Sequence, residues 1–124
     1  MNKRTVNQML PLAYQVLKEE FPSEHIPKEF RGYISTFGAA ITMGSLAAAV
    51  AFYSSEENGA QQDRHKLPMI LLNVLKRYDT NVTEGNLFEY VVNSNERLGK
   101  ENVLHAAIAV KLAMNLFYQD SPTK

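Results

Sequence analysis

Apolar residues at helical spacing, interrupted by prolines and glycines, are the feature that most constrains this fold. Between Lys3 and Glu20 the apolar side chains recur at i, i+3, i+4 and i+7, as on one face of an amphipathic helix. No segment shows the sustained alternation of apolar and polar residues that indicates a half-buried strand. The pattern predicts a single all-α domain over residues 1–124, a compact bundle of five to seven helices.

Turn-forming residues set the expected boundaries of the first three helices. The first spans about Lys3 to Glu20, and Pro11 predicts either a kink or a later start near that residue. The second runs from Lys28 to about Met43. Gly44-Ser45 is expected to end the second helix and to cap a third over Leu46 to Tyr53, where alanine favours helix over strand.

The next two helices follow the same logic. A clean apolar stripe predicts a fourth helix from about Gln62 to Tyr78, with Pro68 in its first turn or two. Thr83 is expected to cap a short fifth helix over Gly85 to Asn93.

The last helix is predicted to be apolar on all sides. Ser94 or Asn95 can cap it, it should end near Gln119, and Gly99 weakens its first turns. Only three polar residues interrupt the 16-residue stretch Val103 to Tyr118. A helix that is apolar all round is normally buried on all sides.

The segment Gly38 to Tyr53 has the same small, apolar character. A bundle of this size encloses one helix fully but seldom two. Two alternatives follow. Part of the apolar surface of these two helices docks on a partner or on copies of the chain, or both helices form an alanine-rich core. The sequence leaves both alternatives open.

Composition excludes several classes of protein. With no cysteine, the chain has no disulfide, thiolate zinc site or cysteine nucleophile. Thirteen basic residues balance thirteen acidic ones, which excludes a globally basic nucleic-acid binder but not a local basic stripe. No export signal is recognisable, and the longest apolar stretch is shorter than the ~20 residues that span a bilayer. We expect a cytoplasmic protein without a membrane partner.

Recognised catalytic motifs are absent. The sequence contains no HExxH, no glycine-rich phosphate loop and no GxSxG. The three histidines lie in different segments; His25 is expected in a loop and His105 as a partly buried packing residue. We therefore expect no enzyme, no catalytic residue, no cofactor and no metal site.

Charge is distributed in two blocks that cancel. Residues 64–77 carry four basic and no acidic side chains, whereas residues 79–96 carry four acidic and no basic ones. Lys66, Asn73 and Arg77 share one flank of the fourth helix by spacing. A basic stripe of this kind suits a helix laid along a phosphate backbone, although a solvated helix face is the more common interpretation.

The middle of the chain resembles a known family. Tyr33 is followed by Ile41-Thr42-Met43-Gly44-Ser45-Leu46-Ala47-Ala48-Ala49-Val50-Ala51-Phe52-Tyr53. This is similar to the small α-helical subunit of the type III-B CRISPR–Cas (Cmr) effector complex, which has a tyrosine, a leucine/isoleucine pair, a glycine-containing turn and a small-residue helix ending Ala-Phe. The C-terminal segment Ala109-Val110-Lys111-Leu112-Ala113 resembles the family's apolar-Lys-apolar-Ala segment.

The chain departs from the family pattern at several positions. Gly38 stands where the family often has proline, and Thr42 where it often has a basic residue. Ser45 replaces the usual glycine, and the tryptophan often found in the last helix is absent. Without a basic residue at position 42, this turn is not expected to contact RNA, whereas Lys111 does match the family pattern.

The resemblance implies a non-catalytic structural subunit in antiviral defence. Such subunits stack in copies along the effector filament, beside the other subunits, and line the groove for the guide–target RNA through phosphate contacts. The candidate nucleic-acid-binding residues are Lys28, Arg31, Arg64, Lys66, Lys76, Arg77 and Lys111. The alternative is a helical protein–protein adaptor or regulator without nucleic-acid binding. An enzyme, which would need a polar pocket with convergent titratable groups, ranks third.

Overall fold

The computed structural model describes residues 2–54 and 64–119. Helices make up 78% of it, and the all-α prediction is confirmed. The helices within the described residues are α1 (Lys3–Glu20), α2 (Lys28–Met43), α3 (Leu46–Ser54), α4 (Lys66–Tyr78), α5 (Leu87–Asn93) and α6 (Glu96–Ala113), and a 3-10 turn (Met114–Leu116) follows α6. The predicted beginning of the fourth helix at Gln62 lies outside the described residues.

The helix α1 begins at Lys3, so the expectation of a start near Pro11 is wrong. The side chain of Asn2 caps α1 by accepting hydrogen bonds from the backbone N–H groups of Arg4 and Thr5, at 3.0 and 3.2 Å. Pro11 lies within the helix on its exposed side, where the ring faces solvent rather than the core. The apolar face of α1 packs inward, as its periodicity predicts.

The turn between α2 and α3 is predicted correctly. Gly44 ends α2 by donating its N–H to the carbonyl of Ala40 at 2.9 Å. The hydroxyl of Ser45 accepts a hydrogen bond from the N–H of Ala48 at 3.2 Å, so it caps the first turn of α3.

Two predictions about the second half are wrong. Asn86, not Thr83, caps α5, because its side chain accepts the N–H of Glu89 at 2.9 Å. The last helix ends at Ala113 rather than near Gln119. It begins at Glu96 despite Gly99, because the Asn95 side chain accepts N–H groups from both Arg97 and Leu98.

A pair of two-residue strands includes the segment that follows α6 and its 3-10 turn. The strands β1 (His25–Ile26) and β2 (Tyr118–Gln119) pair in parallel. Their ladder joins the α1–α2 connector to the segment that follows α6. Two residues are too few for an alternating pattern, so periodicity could not reveal them, and His25 lies in a strand rather than a loop.

The helix α6 is the centre of the bundle and contacts α1, α2, α4 and α5. Val103, Ala106, Ala109, Val110 and Ala113 are fully buried, and their small side chains let neighbouring helices approach closely. The helix is not buried on all sides, because Leu98 and Leu112 are exposed. Among the described residues, no helix combines the length and apolarity needed to cross a membrane.

Candidate nucleic-acid interface

The seven basic residues predicted to contact phosphate lie in three different places. Three are engaged between helices, three lie on the surface formed by α2 and α6, and one lies in a groove between α3, α4 and α5. The residues engaged between helices are Arg64, Lys66 and Arg77. Those on the surface formed by α2 and α6 are Lys28, Arg31 and Lys111. The residue in the groove is Lys76.

Arg64 packs against the aromatic side chains of α3. It is only 8% exposed, and its guanidinium carbon lies 4.3 Å from the ring centroid of Phe52 and 5.8 Å from that of Tyr53. Its Nε atom is buried without a hydrogen-bond partner among the described residues. The cation therefore contributes to packing through cation–π contacts and offers little surface to a phosphate.

Lys66 and Arg77 turn toward the end of α1. The Nζ of Lys66 lies 3.6 Å from Oε2 of Glu20, and Nη2 of Arg77 lies 2.6 Å from Oε1 of Glu19. The flank that the sequence assigns to nucleic acid therefore carries carboxylates beside both cations. A phosphate could approach these cations only in competition with the two glutamates. Their contact with RNA stays a prediction.

The surface formed by α2 and α6, the α2–α6 surface, brings other basic residues together. A shallow cavity of about 170 Å³ lies between the helices, with Lys111 at its edge. Small residues form much of the α2 side of this cavity, and none of its lining residues carries a carboxylate. The lining residues are Ile34, Ser35, Gly38, Ala39, Leu104, Ala107, Ile108 and Lys111.

Two further cations extend the α2–α6 surface. Nη1 of Arg31 donates a hydrogen bond to Oδ1 of Asn115 at 3.0 Å, which links α2 to the turn after α6. Lys28 precedes Arg31 by three residues, so both lie on one side of α2. Lys111 is exposed and has no ion-pair partner among the described residues. This surface therefore combines positive charge with small side chains that let another backbone come close.

Lys76 lies apart from the other basic residues. It borders a larger cavity of about 490 Å³, whose walls are α3, α4 and the start of α5. This groove was not among the features predicted from the sequence. Met69 and Leu72 are the signal that could have indicated it, because both are apolar and fall outside the apolar stripe of α4.

The histidines do not form a site. His105 is partly buried, as predicted, and its Nε2 accepts the backbone N–H of Asn2 at 3.2 Å. Its Nδ1 is buried without a hydrogen-bond partner, and burial lowers the pKa of the imidazole. In the part of the chain that the structure describes, no three His, Asp or Glu side chains are grouped so that they could hold a metal ion.

Comparison of the chain with protein-family models, curated proteins and solved structures finds no match. Function therefore has to be argued from the residues of the chain itself.

Proposed function

We propose that this chain is a non-catalytic structural subunit of a type III-B CRISPR ribonucleoprotein effector complex. In this role it stacks in the filament and lines the groove for the guide–target RNA through phosphate contacts. The observation that carries the proposal is the α2–α6 surface, because Lys111, which matches the family pattern, lies there beside a carboxylate-free cavity.

The α2–α6 surface suits contact with a phosphate backbone. Lys111 supplies a compact exposed charge, and Arg31 supplies a planar guanidinium whose position is fixed by Asn115. A Cβ added at Gly38 would meet nothing within 4 Å, so the backbone is open to an approaching strand. Contacts of this kind position a duplex without reading its bases, and base pairing supplies the specificity in RNA-guided complexes.

Exposed apolar side chains supply surfaces for the other subunits and for copies of the chain. Met43 at the end of α2 is 84% exposed, and Leu116 after α6 is 67% exposed. The two side chains lie at opposite ends of α2, because Asn115, the neighbour of Leu116, accepts a hydrogen bond from Arg31 near the start of that helix. They would therefore serve two separate contacts.

A reconstituted complex carrying Arg31→Glu and Lys111→Glu tests the proposed RNA contact. We expect target-RNA affinity to fall at least tenfold, and the slope of log K against log salt to fall by roughly 0.7–0.9 for each phosphate that the protein no longer neutralises. Arg97→Glu is the control, because the side chain of Arg97 is 88% exposed and lies at the other end of α6. Unchanged affinity in the double variant, with unchanged thermal melting, would contradict the proposal.

The predicted flank of α4 is tested separately with Lys66→Gln and Arg77→Gln. Glutamine removes the positive charge without placing a third and fourth carboxylate beside Glu19 and Glu20. Target-RNA affinity that does not change in this variant removes α4 from the RNA interface.

The second candidate function is a helical adaptor or regulator that binds protein and no nucleic acid. It is favoured by the internal engagement of Arg64, Lys66 and Arg77. Affinity purification from the native cell separates the two functions. Recovery of RNA together with a set of CRISPR proteins supports the first, and recovery of one partner without RNA supports the second.

A further inference from the structure

The groove between α3, α4 and α5, which we name the α3–α4–α5 groove, is larger than the cavity of the α2–α6 surface. Its floor consists of buried apolar side chains, including Pro68, Leu72 and Leu87. Met69 on one wall is 51% exposed and Phe88 on the opposite wall is 40% exposed. Two large apolar side chains thus face solvent across a cavity of about 490 Å³ that could take several apolar side chains.

The groove also contains a cation for which the described residues supply no opposite charge. Lys76 borders it, and none of the twelve lining residues carries a carboxylate. The two other cations of α4 are paired with α1, whereas Lys76 has no ion-pair partner among the described residues. Glu89 is close by, but its Oε1 accepts the N–H of Gly85 at 3.4 Å. A carboxylate brought by an occupant would therefore complement Lys76.

The shape of the groove favours a helical occupant. None of its lining residues lies in a strand, so an extended peptide would find no sheet edge to pair with there. Met69, Leu72, Asn73 and Lys76 are spaced i, i+3, i+4 and i+7 along α4, which corresponds to roughly 10 Å, or two helical turns. An occupant that forms its own backbone hydrogen bonds and presents side chains over two turns is an amphipathic helix.

Nucleic acid suits this groove less well than a helix does. Most of the side chains in its floor are apolar, and Lys76 is its one lysine or arginine. Phosphate backbones are bound by several cations in a row. The nine residues 55–63, Ser-Glu-Glu-Asn-Gly-Ala-Gln-Gln-Asp, include no large apolar side chain that could fill the floor.

We infer that the α3–α4–α5 groove docks an amphipathic helix of another protein, with apolar side chains between Met69 and Phe88 and a carboxylate on Lys76. The inference does not depend on RNA binding, because the groove shares no lining residue with the α2–α6 surface.

Photo-crosslinking in the native cell tests the inference on the full chain. Phe88→p-benzoyl-phenylalanine places a crosslinker of similar shape in the groove, and the same substitution at Gln15, exposed on α1, is the control. Mass spectrometry of the crosslinked peptide should show a different protein, with large apolar residues at i, i+3 or i+4 and an Asp or Glu within two turns. Crosslinks to RNA or to a second copy of the chain would overturn the inference. A crosslink yield at position 88 no higher than at position 15 would overturn it as well.

A charge swap tests the role of Lys76. Lys76→Glu should lower the crosslink yield several-fold, and a Lys in place of the partner's carboxylate should restore it. Lys76→Met, which keeps the apolar stem, should have the smaller effect. A yield that does not respond to Lys76→Glu in a folded variant refutes the docking contact. The variant that combines Arg31→Glu and Lys111→Glu should give the same crosslink yield as the wild-type groove. A failure of the RNA proposal can therefore be distinguished from a failure of the docking contact.

Discussion

The same side-chain type has different roles at different positions of this chain. Arg64 is almost fully buried against two aromatic rings, whereas the side chain of Arg97 is 88% exposed and only pairs with Glu101 one turn away. The first contributes packing through its stem, and the second contributes little to stability because exposed ion pairs are screened by solvent. Burial and neighbours, rather than formal charge, decide whether a cation is available to a partner.

The pH dependence of stability is expected to depend on His105. Its Nε2 accepts the N–H of Asn2, which a protonated imidazole cannot do. Burial lowers the pKa of His105 below the ordinary 6.5, and Glu101 opposes this shift in part. The unfolded chain therefore takes up a proton at a higher pH than the folded chain. Stability is fully present above about pH 6.5 and is lost as the pH falls through the lowered pKa.

Urea unfolding at pH 7.5 and at pH 5 measures this effect in the wild type and in His105→Gln. Glutamine keeps an acceptor for Asn2 but does not titrate, so the variant should lose less stability on acidification. Both proteins keep His25 and His65, so their contributions cancel in the difference. An identical pH dependence in the two proteins would show that His105 has no part in it.

At the scale of elements, the start of α6 is shaped by a close contact with the turn before it. The hydroxyl of Ser94 donates to the carbonyl of Tyr90 at 2.6 Å, which fixes its side chain. A Cβ added at Gly99 would lie 3.1 Å from Cβ of Ser94. The glycine that weakens the helix by propensity is therefore the residue that lets the α5–α6 turn pack.

Glycine-to-alanine substitutions at two helical positions should have different effects on stability. Gly32→Ala on α2, where a Cβ meets nothing within 4 Å, should stabilise the protein by about 0.5–1 kcal/mol through helix propensity. Gly99→Ala should give no gain or a loss, because the new Cβ presses on Ser94. Chemical denaturation of both variants measures the difference. Equal stabilisation at the two sites would mean that the Ser94 contact is easily relieved.

At the scale of the whole molecule, α6 is the element around which the bundle is built. Ala109 is fully buried in the middle of it, and four other helices pack on α6. Ala109→Leu should cost about 1–3 kcal/mol, because the close-packed interior has to shift to admit a larger side chain.

Ala48→Leu on the exposed side of α3 is the matched control for Ala109→Leu. It adds the same atoms to a helix without entering the core, so its effect on the free energy of unfolding should stay within about 0.5 kcal/mol. Thermal or urea unfolding compares the two. A similar cost at both positions would contradict a tightly packed centre at α6.

Local signals predicted much of the fold. The bounds of α1 and α2, and the cap at Ser45, follow from apolar spacing, glycine and capping residues. Errors occurred where several residues could cap the same helix, as with Thr83 and Asn86, and where the apolar run continued beyond the end of α6 into a 3-10 turn. The α2–α6 surface was only partly predictable, because its residues come from distant segments.

The sequence by itself determined the class of fold and the helix-forming segments, because helix periodicity, capping and turn formation act over a few neighbouring residues. Only the tertiary structure decided which basic side chains are free for a partner. Glu19 and Glu20 reach Arg77 and Lys66 across more than forty residues, and Arg64 is covered by aromatic rings of α3. Electrostatic and packing partners depend on distance in space, which spacing along the chain does not encode beyond one or two turns.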